Sequence, residues 1–279
     1  MSRTHWKAVL ALTASLLTLL TATLFTPLAL AQSGSWVVIS SPNQGTEDNE
    51  LNGVAAVSAS DIWAVGSFYN PNTGQYGGLI EHWNGAAWSA VSSPSTTQLT
   101  GVTALASNNV WAVSDYAQIL HWNGSIWSIV PSPQPCCGNY YQLNAVTALS
   151  ANDIWAVGTR TVLVGEGDYS YYTVTEHWNG TTWTALNGAD PGGGGCDYLY
   201  GVAALSTSDV WAVGYACGLS LVEHWTGTYW NLVSNPNPSA IQDSLQASTA
   251  IPATGDVWAV GYEDGSTGYQ TLIEQCRAC

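Results

Sequence analysis

The string Asp61-Ile62-Trp63-Ala64-Val65-Gly66 recurs with small changes at 109–114, 153–158, 209–214 and 256–261, placing five Trp at 63, 111, 155, 211 and 258. A period of this length marks one supersecondary unit repeated along the chain, and no such unit can bury its apolar face alone. Upstream of each Trp a Leu opens a small apolar run: Leu51, Leu99, Leu143, Leu199 and Leu245. Downstream, Glu81-His82-Trp83-Asn84-Gly85-x-x-Trp88 returns at 176–183, at 223–230 with Thr226 for Asn, and at 120–127 with Leu120 for Glu.

Each unit thus holds four short runs rich in β-branched and aromatic residues, with turn residues between them and no helical period. In the first unit the runs are 51–57, 62–68, 79–83 and 88–91. Asn84-Gly85 predicts a type I′ hairpin, because both residue types tolerate positive φ. The expected fold is all-β: a five-bladed β-propeller of four-stranded antiparallel blades at about 51–94, 99–133, 143–188, 199–238 and 245–275. Residues 36–42 copy the fourth-strand sequence of 88–94 ahead of any first strand, whereas the fifth unit has no fourth strand. An N-terminal strand at 36–42 that completes the last blade predicts a closed ring without open edges. Leu272-Ile273-Glu274-Gln275-Cys276 starts like Leu79-Ile80-Glu81-His82-Trp83 and then loses His and Trp. A five-bladed ring and a longer array are both compatible with that ending.

Residues 1–31 read as a secretory signal: Arg3 and Lys7, an apolar run, then Ala29-Leu30-Ala31 as a small-x-small cleavage site. A retained anchor is the alternative. The propeller is expected to occupy 32–279, outside the cytoplasm as a secreted or cell-surface protein, with no membrane insertion after cleavage. Beyond the signal only two cations, Arg160 and Arg277, face 19 acidic residues. That balance excludes nucleic acid binding through counterion release, adhesion to anionic membranes, and phosphoryl chemistry that needs several basic groups. It also leaves almost nothing to hold an anionic ligand.

The W-A-V-G and H-W-N-G-x-x-W motifs resemble those of secreted bacterial β-propeller repeat proteins, related in layout to BNR (Asp-box), kelch and tectonin repeats. The likeness runs from Trp36 to about Gln275. The Ser and Asp of the Asp-box and the paired glycines of kelch are missing. Similarity in size to five-bladed tectonin-type lectins implies sugar binding by analogy alone.

His82, His121, His177 and His224 share one repeat position, which points to scaffold rather than to a catalytic or zinc centre. A structural hydrogen bond is expected in each blade: Asp61 with His82, Asn109 with His121, Asp153 with His177, Asp209 with His224. Glu81, Glu176, Glu223 and Glu274 also repeat. The unrepeated acids Glu47, Asp48, Glu50, Asp115, Glu166, Asp168, Asp190, Asp197, Glu263 and Asp264 form no recognisable catalytic pair. No catalytic residue, metal or cofactor is assigned.

Thirteen of the 14 Tyr lie in, or at the strand ends beside, the two classes of long connection that share one face of a propeller. Tyr69, Tyr76, Tyr116, Tyr140, Tyr141, Tyr169, Tyr171, Tyr172, Tyr198, Tyr215, Tyr262 and Tyr269 are the candidate ligand residues; Tyr200 is the thirteenth. Tyr offers a flat apolar ring with a polar tip, suited to sugar rings and protein surfaces alike. Cys196 and Cys217 flank two strands of one blade and predict a disulfide, while Cys136 and Cys137 pair with each other or with other chains. Cys276-x-x-Cys279 has redox-motif spacing without a thioredoxin-like context. The reading is a secreted, non-catalytic binding protein whose Tyr-rich acidic face takes a carbohydrate or protein ligand. The alternatives are a glycoside-active hydrolase using loop carboxylates and a purely structural cell-surface repeat protein.

Overall fold

The computed structural model describes residues 37–133, 140–189, 195–239, 241–265 and 268–279. The signal segment, Trp36, Cys136, Cys137 and Asp190 therefore lie outside the described residues. The chain divides into two units, 1–39 and 40–279. Of the first, residues 37–39 form no strand and are exposed. The second carries every strand of the described residues.

Five antiparallel meanders follow one another. The first blade is β1 (Asn49–Ser58), β2 (Asp61–Asn70), β3 (Gln75–Trp83) and β4 (Trp88–Ala90). The second is β5 (Leu99–Ala106), β6 (Asn109–Ser114), β7 (Ile119–Trp122) and β8 (Trp127–Val130). The third is β9 (Tyr140–Ser150), β10 (Asp153–Leu163), β11 (Tyr169–Trp178) and β12 (Trp183–Leu186). The fourth is β13 (Asp197–Ser206), β14 (Asp209–Ala216), β15 (Leu219–Trp225) and β16 (Trp230–Leu232). The last has three strands, β17 (Gln242–Ile251), β18 (Asp256–Gly265) and β19 (Gly268–Cys276). Consecutive blades stack with first strand beside first strand, β1 on β5, β5 on β9, β9 on β13 and β13 on β17.

A β-bulge in every first strand accounts for the glycine of W-A-V-G. In the first blade Leu51 pairs with Gly66 and Gly53 with Val65, so Asn52 is the extra residue; Thr100, Asn144, Tyr200 and Gln246 take the same place. The bulge drives the preceding carbonyl onto the partner strand. A Cβ at Gly66, Gly158, Gly214 or Gly261 would overlap the carbonyl oxygen of Glu50, Gln142, Tyr198 or Ser244. Ser114 holds the glycine position in the second blade, where Asp115 N still donates to Gln98 O at 3.1 Å ahead of the Leu99 pair. The freed side chains then join blades: Asn52 Nδ2 donates to Leu99 O at 3.0 Å, Thr100 Oγ1 to Leu143 O at 2.6 Å and Asn144 Nδ2 to Leu199 O at 2.6 Å.

The Trp excess is interblade core. Trp63 packs on Trp122 and Trp127 of the next blade, Trp111 on Trp178 and Trp183, and Trp155 on Trp225 and Trp230. All four expected acid or amide partners meet their His, at 2.8, 3.0, 2.8 and 2.8 Å in blade order. Each imidazole also stacks on the W-A-V Trp of its own blade. The indoles of Trp111, Trp155 and Trp211 donate to the same oxygen that the His uses. One carboxylate thus orients two rings.

The turn after His-Trp corrects the type I′ expectation. Trp83 pairs with Trp88, so the connection has four residues, and φ is positive at Gly85 but not at Asn84. Asn84 Oδ1 instead accepts the amides of Ala86 and Ala87, both at 3.0 Å, an Asx cap that needs no positive φ at Asn.

The fourth strand expected at 36–42 is not among the strands of the described residues: 37–42 carry none, and the last sheet stays at three. The two end blades therefore show faces that every other blade covers. Leu51 is 48% exposed, whereas Leu99, Leu143, Leu199 and Leu245 are at 0%. At the other end Val260 is 45% and Ile273 63% exposed, against 0% for Val65 and Ile80.

Candidate functional site

Three of the repeated Glu residues latch their blade to the connection leaving the blade before it. Glu176 accepts both its hydrogen bonds, at 3.0 Å each, from Ser132 in the connection leaving the second blade. Glu223 accepts from the Ala189 amide at 3.1 Å, and Glu274 from Asn235 Nδ2 at 3.1 and 3.2 Å. Ser41 stands beside Glu81 and counters the effect of its burial. Burial raises all three of Glu81, Glu176 and Glu274, opposed by their hydroxyl and amide donors, and pushes Glu176 up to about 7.

The face opposite the His-Trp turns carries the tyrosines, because β2–β3, β10–β11, β14–β15 and β18–β19 all turn there and the first strands begin there. The structure sorts the candidates into groups. Tyr69 and Tyr76 face each other across the first blade at 5.3 Å between ring centroids. Tyr116 and Tyr140 join the second and third blades at 4.7 Å, and Tyr262 and Tyr269 meet at 4.8 Å in the last. Tyr169 stands exposed at the rim, Tyr172 lies under Arg160, and Tyr141 is 7% exposed, packed with Trp111 and Leu143.

The largest group spans the third and fourth blades. Tyr171 stacks on Tyr198 at 5.0 Å, and Tyr198 lies 6.0 Å from both Tyr200 and Tyr215. Tyr200 belongs to it because it occupies the bulge position, where the other blades place Asn, Thr or Gln. A tyrosine at a repeat position otherwise held by smaller polar residues is the signal that loop position alone does not reveal. The Cys196–Cys217 disulfide forms as expected, with Cα atoms 5.2 Å apart. It closes the rim of this group: Cys217 N donates to Cys196 O, and Tyr171 N donates to Gly195 O at 2.7 Å. Cys276 and Cys279 are also joined.

Desolvation, with the neighbouring phenols and, for Tyr140, Asp115, pushes Tyr140 and Tyr198 up to about 12. Both stay protonated donors across the neutral range. Burial likewise raises Asp115, against hydrogen bonds from Thr97 and two backbone amides. Asp48 and Glu50 stand beside Tyr76. The face offers ring planes, phenolic donors and carboxylate acceptors. Cys196, Asp197 and Cys217 converge closely enough to suggest a metal site, but both sulfurs belong to the disulfide and supply no thiolate. Among the described residues no helix is long and apolar enough to cross a membrane.

No family model matches the chain, and no curated protein matches it in sequence. Among solved structures it is similar to an ancestral GH74 enzyme, at 16% identity over 87% of this chain and 32% of that one, with a TM-score of 0.60. YCF48 bound to a D1 peptide matches at 15% identity over 86% and 74% of the two chains, with a TM-score of 0.49. YCF48 from Cyanidioschyzon merolae matches at 14% over 80% and 71%, with a TM-score of 0.48. The likeness to the GH74 enzyme, itself a β-propeller protein, establishes that fold. The chain spans about a third of the GH74 enzyme's length.

Proposed function

We propose that the protein is a secreted or cell-surface, non-catalytic binding protein that takes a carbohydrate or protein ligand on its Tyr-rich acidic face. The observation that carries this reading is the Tyr171–Tyr198–Tyr200–Tyr215 group: four partly exposed rings from two blades, held by a disulfide. Stacked rings with protonated hydroxyls suit the apolar face and hydroxyl rim of a sugar, and they cost little entropy to order. The repeated His and Glu residues are used in the scaffold, and the unrepeated acids form no recognisable catalytic pair in the sequence.

The same reading makes the ring five-bladed and closed by 36–42, and places the chain beside the BNR, kelch and tectonin repeats. In support, Ser41 stands beside Glu81 of the first blade, the position that corresponds to Glu176 with its Ser132 donor in the third. The exposed faces of the first and last blades are the two halves of the contact that the other blades make. Export along the signal at 1–31 accords with the two disulfides.

A glycan array tests this function. Binding that drops roughly tenfold or more in a Tyr171→Ala/Tyr198→Ala variant of unchanged melting temperature supports it. Release of reducing sugar from a bound glycan would replace it with a hydrolase.

A further inference from the structure

Arg160 lies in the third blade, in a chain where acids greatly outnumber bases, yet its guanidinium makes no ion pair and no side-chain hydrogen bond among the described residues. One rung of the sheet places Tyr141, Arg160 and Tyr172 side by side on β9, β10 and β11. The guanidinium carbon sits 5.1 Å over the Tyr172 ring, a cation–π distance that holds the side chain in place but uses none of its five N–H donors.

These residues open onto a pocket of about 330 Å³, within the size range of small-molecule sites. It sits beside β11 at the level of Thr173 and Val174, which have no partner on β12 because β12 pairs only from Thr175 onward. Tyr141 lines the same pocket and is more than nine-tenths buried, and its hydroxyl has no hydrogen-bond partner among the described residues. An orphaned buried hydroxyl is costly unless something else satisfies it. Thr173 and Asn187 add polar groups to the walls, while Glu176 and Asp197 put carboxyl groups there.

The lining is asymmetric. It presents a planar cationic fork with a phenol at its side, and carboxyl and amide acceptors elsewhere. A compact anion such as phosphate would meet the acids as well as the Arg. A ligand with one carboxylate and several hydroxyls suits both: its carboxylate takes the guanidinium in the bidentate fashion, and its hydroxyls meet the polar wall at Thr173 and Asn187. We infer that the pocket beside Arg160 on the third blade binds a uronic acid residue, its carboxylate on Arg160 and Tyr141 and its ring against Tyr172. This rests on the sugar-binding form of the proposed function and adds to it a place on an acidic face where a negative charge is welcome.

Titration calorimetry with trigalacturonate, its methyl ester, a neutral trisaccharide and a peptide with a free C-terminal carboxylate tests the inference. The expected result is at least roughly tenfold tighter binding of the acid than of its ester, a preference that Arg160→Gln abolishes. Tyr141→Phe is expected to weaken acid binding several-fold while the melting temperature holds or rises, since the lost hydroxyl had no partner in the fold; a purely structural hydroxyl would instead lower it. Equal binding of acid and ester, a preference that survives Arg160→Gln, or tighter binding of the peptide overturns the inference. If the neutral sugar still binds in that case, the proposed function stands without it. If no sugar binds, its sugar-binding form falls as well.

Discussion

Single residues in this protein are constrained by backbone geometry and burial more than by reactivity. Gly214 is required because the Tyr198 carbonyl fills the space of a Cβ. Gly214→Ala should cost at least about 3 kcal/mol, the upper end of overpacking penalties, and a denaturant titration reads this directly. Glu176 is governed by desolvation. Burial raises its carboxyl from 4.5 to about 7 despite the Ser132 hydroxyl, so the folded state holds a proton that the unfolded state has released. Stability is then full below the unfolded value and falls as pH rises toward 7. Melting curves between pH 5 and 7.5 should show a decline on the order of 2–3 kcal/mol from this group, removed in Glu176→Gln. The Asp–His pairs were legible at this scale, since a residue type recurring at one position in every blade is explained by what every blade shares. The bulge was not, because Leu-x-Gly reads as ordinary alternation and gives no sign of which residue the ladder skips. Tyr200 was obscured for the same reason.

At the level of elements, the Tyr171–Tyr215 group depends on the Cys196–Cys217 link between the start of β13 and the end of β14. Replacing both Cys with Ser should lower stability by about 3 kcal/mol on the loop-entropy account, measurable by thermal or chemical denaturation. Sugar affinity should fall more than stability explains, because Tyr171 N bonds Gly195 O immediately ahead of the bridge. The disulfide could be read from sequence because both Cys flank one predicted hairpin. The turn after His-Trp could not: Asn-Gly suits two turn types, and the choice went to the one in which the Asn side chain caps two amides.

At the level of the whole molecule, repetition makes the blade order visible in advance, and the closing contact is the part that a period cannot supply. The first and last blades expose Leu51, Val260 and Ile273, the positions that neighbours cover elsewhere. If 36–42 completes the last blade, removing residues 32–42 should lower the melting temperature by several degrees and promote association through these faces. Scattering and sedimentation should then report a larger species; an unchanged monomer would contradict closure. The central claim concerns the opposite use of aromatic residues, Trp between blades and Tyr on one face for a ligand. It is tested most directly by following the tyrosine ring resonances of the intact, disulfide-bonded protein during titration with a neutral trisaccharide that scores on the array. The account predicts saturable shifts at Tyr171, Tyr198, Tyr200 and Tyr215, with Tyr229 on the far face unmoved. Saturable binding that leaves those four rings unshifted, or that moves Tyr229 instead, would contradict it.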